Sequence, residues 1–285
     1  MRRREGWTAV LFLAPSLIGF AVFFLIPFAI GFYYSLVDSP IDGSFVGLDN
    51  YGDLLGNAVF RRAAFNTLTF TALSVPLNML ISLGLAMMLN NSVRFRSSFR
   101  VAFISPLVIP VASVALVWQS LFHMNGAVNG WLVSHGLVPH DWMESGAAVG
   151  VILIVYLWKN VGYNMVLFLA GLQNIPGEYY EAAAIDGAGK FRQWASITLV
   201  YLTPTTFFVF IMSVINSFKV FRETYLIAGA YPHESIYLLQ HYMNNMFQSL
   251  DYQKLTAAAF LMALVVALLV LLLFAAERRM SRSIG

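Results

Sequence analysis

The stretch LTAAAFLMALVVALLVLLLFAA, residues 255–276, carries no charged residue. A helix of that length covers the ~30 Å hydrocarbon core of a bilayer at 1.5 Å per residue. It is apolar on every side, so in water it would need covering all round. The run reads as a transmembrane helix.

Runs of similar length occur at 9–34, 66–89, 101–122, 147–169 and 200–218. The composition agrees, with 59% hydrophobic and 11% charged residues against roughly 45–50% and 25% in soluble domains. The sequence therefore predicts an all-α integral membrane protein with six transmembrane helices, residues 1–285 forming a single membrane domain. No repeat, low-complexity tract or linker divides the chain. Prolines inside the runs, Pro15, Pro27, Pro76, Pro106 and Pro110, are compatible with membrane helices, whose neighbours re-satisfy freed carbonyls. The net charge of +3 is no sign of nucleic-acid binding, because the arginines cluster beside apolar runs instead of along one soluble face. The absence of cysteine excludes disulfides and thiolate metal sites.

Six spans put both termini on one side, and the basic residues choose it. Arg2, Arg3, Arg4, Arg94, Arg96, Arg100, Lys190, Arg192, Arg278, Arg279 and Arg282 fall on one face, against Arg61, Arg62, Lys219, Arg222 and Lys254 on the other. The positive-inside rule makes the first face cytoplasmic. A cleaved signal peptide fits less well, because the first run exceeds the 7–15 residues of a signal core and no small-x-small site follows it.

The loop between the fourth and fifth runs, within NIPGEYYEAAAIDGAGKFRQWASITLVYLTP at 174–204, falls on the cytoplasmic face. Pro176 suits a first helical turn, Glu178 and Glu181 sit near the positive end of the helix dipole, and Gly187 and Gly189 can end the helix. Asp186 is placed to cap a second segment in which Phe191, Trp194 and Ile197 share a face. Small residues Ala182, Ala183 and Ala184 would let a partner approach closely.

This segment resembles the cytoplasmic signature of binding-protein-dependent ABC permeases: EAA, three residues, G, nine residues, I-x-L-P. Glu181, Ala182, Ala183, Gly187, Ile197 and Leu199 match at full spacing, and Asp186 and Ala188 extend the match; Val200 stands where the family has proline. Flanking text, LWKNVGYNMVLFLAGLQNIP at 157–176 and LFLAPSLIGFAVFFLIPFAIGFYYSL at 11–36, is similar to the first permease of maltose-type and glycerol-3-phosphate-type systems. The resemblance implies one half of a sugar or oligosaccharide pathway in the cytoplasmic membrane, partnered by a second homologous permease, two ABC ATPase subunits and an external solute-binding protein. The loop 174–199, with Glu178, Glu181, Ala182, Ala183, Asp186, Gly187, Ala188, Ile197 and Leu199, would be the coupling contact with an ATPase.

The chain itself is expected to bind no cofactor. Gly187-Ala188-Gly189-Lys190 fails as a phosphate loop, since Ala184 and Phe191 stand where Walker A needs glycine and Ser or Thr. A dinucleotide fingerprint fails at Arg192. ATP and magnesium are therefore expected on the partner ATPase subunits, and this chain is not expected to be an enzyme. His123, His135, His140, His233 and His241 fall on outer loops or their edges; His135, His140 and Asp141 could ligate a metal, but they read first as solvated loop residues.

Tyr156, Lys159, Asn160 and Tyr163 share a face of the fourth run, and Ser213, Asn216, Ser217 and Val220 share one on the fifth. Such polar stripes either line a solute pathway or hydrogen-bond between helices. Lys159, the only basic residue well inside a run, reads either as a pathway group or as a lysine paired locally. An importer for another small solute stays open, and a secondary transporter would need inverted repeats that the sequence does not display.

Overall fold

Hydrocarbon leaves an unpaired backbone group no partner, so each apolar run has to close its own hydrogen bonds as helix. The computed structural model describes the backbone of residues 2–90 and 95–284 and the side chains of residues 10, 12–90 and 95–275. Arg94 and the side chains of Arg2, Arg3, Arg4, Arg278, Arg279 and Arg282, used in the topology reading, lie outside the described residues.

Helix α1 (Arg2–Phe20) continues through a π-helical turn at Ala21–Leu25 into α2 (Ile26–Tyr34). After α3 (Asp49–Gly56) comes α4 (Ala58–Asn90), then α5 (Arg96–Val108), α6 (Val111–Phe122), α7 (Ala127–Ser134) and α8 (Ala148–Gln173). The loop segment holds α9 (Gly177–Ile185), α10 (Lys190–Gln193), a π-helical turn at Trp194–Thr198 and α11 (Leu199–Tyr201). There follow α12 (Thr203–Lys219), α13 (Phe221–Ala228), a 3₁₀ turn at Glu234–Ile236, α14 (Leu239–Gln248) and α15 (Tyr252–Ile284).

Among the described residues, five helical stretches are long and apolar enough to span a bilayer: Phe12–Tyr34, Ala58–Asn90, Ala148–Gln173, Thr203–Ala228 and Tyr252–Ala275. A sixth crossing exists only if the bent pair Arg96–Val108 and Val111–Ser134, which meet at 97°, is one span. The third span expected at 101–122 is thus broken. Pro110 offers no N–H and forces its predecessor out of the helical region; Ile109 sits at ψ 132° and Pro110 at ψ 133°. Pro15, Pro76 and Pro106 lie within continuous helices.

The fifth span also differs from the expected 200–218, running on to Ala228. Lys219 and Arg222, read as outer-face charges, are therefore inside it, as is Glu223. His241 is a further correction, for it is wholly buried and not in a solvated loop. Its Nδ1 accepts the Leu238 amide at 3.2 Å and its ring meets Phe221 edge-on at 4.8 Å. Burial pushes the imidazole pKa down to about 4.

The chain falls into two compact units, 1–61 with 243–267, and 62–242 with 268–285. In the first, Phe28 and Phe32 pack edge-on against Phe260 at 4.8 and 5.3 Å. Phe12, Phe23 and Phe24 point outward, as lipid-facing side chains do.

The second unit is built around α8. One cluster joins Phe70, Ile152, Val155, Tyr156, Val220 and Ile227; another joins Ala86, Met165, Phe168, Leu169, Leu202 and Val209. Helices α5 and α8 touch at Gly162, where a Cβ would stand 1.8 Å from the Phe103 carbonyl oxygen. Only a residue without a side chain permits that approach.

Candidate functional site

The loop after α8 owes its shape to a helix stop. Pro176 precedes α9, where its missing N–H costs nothing, and Glu178 lies in the first turn. The helix ends at Gly187, φ +78°. The Ala188 amide donates to the Ala183 carbonyl at 2.8 Å and the Gly187 amide to Ala184 at 3.1 Å, a Schellman pair with glycine in its left-handed position. Asp186 is the C-cap of α9, correcting its reading as the cap of the next segment; Gly189 fills that place.

The Tyr180 hydroxyl bonds Thr198 Oγ1 at 2.9 Å, and the Gln193 amide donates to the Ala188 carbonyl at 2.9 Å. These ties fix the segment while leaving Glu178, Glu181, Ala182 and Asp186 exposed. Ile185 and Phe191 are 87% and 78% exposed. Ala183, Ala188 and Ile197 are half-buried and Leu199 is just exposed. The exposed carboxylates and the bare apolar side chains of Ile185 and Phe191 thus lie on one short segment.

The polar stripes divide. Tyr156, Lys159, Asn160 and Asn216 meet around one cavity of about 210 Å³, completed by Leu107, Lys219, Val220 and Glu223. Ser213 and Ser217 are buried in helix contacts: Asn164 donates to Ser213 Oγ at 2.7 Å, the Tyr156 hydroxyl to the Ser213 carbonyl at 3.0 Å, and Thr71 bonds Ser217 at 2.9 Å. Tyr163 is half-buried and does not line the cavity.

Lys159 forms an ion pair with Glu223 of α13. Glu223 and Lys219 were missed from the sequence because the fifth span was ended at 218 and Lys219 was read as an outer-face charge. The signal was present, since Asn216, Lys219 and Glu223 continue the stripe of α12 at three- and four-residue steps. The outer-loop histidines are engaged locally, His140 with Ser145 at 3.0 Å and His135 with Trp131, whose carbonyl lies 2.9 Å from its Nδ1.

A family model described as the binding-protein-dependent transport system inner membrane component matches residues 78–285. The chain belongs to this family. Among its relatives are the arabinooligosaccharides transport system permease protein AraP of Bacillus subtilis (strain 168), 37% identical and covering 76% of this chain and 71% of that one. The lactose transport system permease protein LacF of Rhizobium radiobacter is 32% identical, over 96% and 94% of the two chains. In structure the chain is similar to a bacterial ABC transporter involved in importing the acidic polysaccharide alginate, with a TM-score of 0.84, 25% identity and coverage of 97% and 96%.

As an inner membrane component of a binding-protein-dependent system, the chain is a multi-pass transport subunit and an ABC permease. Within that family the matched region runs from the middle of α4 through the loop of α9 to the C-terminus, so the α9 loop and the charged cavity both lie in it.

Proposed function

We propose that this chain is one half of the translocation pathway of an ATP-driven importer for a sugar or oligosaccharide, in a single membrane domain with both termini in the cytoplasm. A second homologous permease supplies the other half, an external solute-binding protein delivers the sugar, and two ATPase subunits bind ATP and magnesium. Relatives named for arabinooligosaccharides and lactose support the sugar assignment.

The observation that carries the coupling role is the exposed helix α9. Glu178, Glu181, Ala182, Ala183, Asp186, Gly187 and Ala188 form it and its stop, while Ile197 and Leu199 link it toward α12. Docked on an ATPase, such a helix transmits the motion of nucleotide-driven closure as a rigid body. The pathway face comprises Tyr156, Lys159, Asn160 and Asn216 at the cavity, with Ser213 and Ser217 holding the helices that bear them and Tyr163 beside them on α8.

The test is charge reversal at Glu181 in the assembled complex. Glu181→Lys should leave membrane insertion intact and abolish coupling, with basal ATPase activity no longer stimulated by the loaded binding protein. Normal stimulated uptake by this variant would refute the coupling role.

A further inference from the structure

The cavity between α5, α8, α12 and α13 holds more charge than a neutral sugar requires. Lys159 and Glu223 are paired across it with side chains only 21% and 5% exposed. Lys219, exposed on α12 where it lines the cavity, makes no ion pair among the described residues. Two ammonium groups thus face one carboxylate, leaving one positive charge in excess. The amides of Asn160 and Asn216 complete the polar wall, and Asn160 is oriented by donating to the Tyr156 carbonyl at 2.9 Å.

Packing alone does not account for these charges. A buried ion pair is no more stable than apolar residues of the same volume, because desolvation offsets the attraction. Ionisable groups inside a membrane span are accordingly rare and mark pathways. Hydroxyls and amides alone, such as the amides of Asn160 and Asn216, would satisfy a neutral sugar. The additional cation of Lys219 at the same cavity favours an anionic ligand over a neutral one.

We propose that this cavity takes an acidic saccharide unit, a sugar ring bearing a carboxylate, and that Lys219 and Lys159 select it by charge. The proposal rests on the reading of this chain as a saccharide permease. In the empty site Glu223 holds Lys159 in place of the ligand's carboxylate. An entering uronate meets Lys219 first and then shares Lys159 with Glu223, so both ammonium groups end neutralised. The volume of about 210 Å³ is below the ~300–1,000 Å³ of whole small-molecule clefts, which suits one unit of a longer chain.

The test uses the assembled transporter in nanodiscs without its binding protein, so that the membrane site alone is read. Dissociation constants for galacturonate and galactose, and for glucuronate and glucose, are measured by ligand-observed NMR at low salt. The acidic member of each pair should bind about tenfold more tightly, equivalent to about 1.4 kcal/mol, and the preference should shrink as salt screens the charges. Lys219→Gln should remove most of it without a folding penalty, because Lys219 is exposed and unpaired. A double variant, Lys159→Gln with Glu223→Gln, tests the buried pair without stranding a charge and should weaken acidic binding further than neutral. Equal affinities in the unmodified protein, no binding of either sugar, or an acidic preference untouched by Lys219→Gln would each overturn the proposal. The importer reading fails separately, by loss of ATPase co-purification.

Discussion

Replacing Gly187 by alanine isolates the helix stop from every other contact. The residue sits at φ +78°, and a Cβ there would meet nothing within 4 Å. No neighbour is displaced, so the cost is that of the backbone alone. Holding an L-residue in the left-handed region costs roughly 1–2 kcal/mol, a factor of about 5–30 in the local equilibrium. The variant either bears that strain or releases the two amide bonds from Gly187 and Ala188 that close α9. Gly189 supplies the control, with φ −66° and equally open space. Hydrogen exchange of the 182–190 peptide should therefore accelerate about 5–30-fold in Gly187→Ala and hardly change in Gly189→Ala, with stimulated uptake falling in the first alone. Equal exchange in the two variants would refute the reasoning, because it would mean that the positive φ carries no energy in the membrane-embedded protein.

Gly162→Ala should fail to accumulate or lose at least about 3 kcal/mol, beyond the ~1–3 kcal/mol typical of overpacking, since its Cβ would meet the backbone oxygen of Phe103 at 1.8 Å; Gly150→Ala on the same helix, with open space, should melt like the parent. Lys159→Met and Glu223→Leu should each destabilise by about 3–5 kcal/mol, and the double variant should recover most of that loss, as read by thermal unfolding in detergent; additive losses would exclude the pair. His241 stays neutral when folded, with a pKa lowered to about 4 against about 6.5 unfolded. The unfolded state therefore binds more protons between these values, and stability should fall as pH drops from about 6.5 to 4, by up to about 3 kcal/mol. His241→Phe should flatten that part of the pH–melting profile, and an unchanged slope would count against the buried neutral histidine.

The first, second, fourth and sixth spans were legible because length and apolarity alone decide them. Gly187 was legible as a helix stop because few residues other than glycine sit easily at positive φ. The break at Pro110 was not, since Pro76 and Pro106 also lie inside apolar runs and sit in unbroken helix. The end of the fifth span was misplaced because hydropathy charges Glu223 its full desolvation cost, while its partner Lys159 lies 64 residues away. His241 was hidden for a related reason, its burial being set by Phe221 and the Leu238 amide, which no local pattern announces. Of the site, the α9 loop is a local motif, and its helix and glycine stop could be read directly. The cavity is assembled from four helices, and only its α8 and α12 stripes showed in the sequence.

The central claim, that α9 docks on an ATPase subunit, is most directly tested by cross-linking, for which the absence of cysteine in the chain is an advantage. A single cysteine at the exposed Ala182 or Ile185, treated with a short bifunctional reagent in the assembled complex, should join this chain to the ATPase subunit, with a yield that changes when ATP is added. A cysteine at exposed Ser134, on the opposite side of the membrane by the charge reading, should give no such product. Cross-linking to the ATPase from position 134 but not from 182 or 185 would contradict the account.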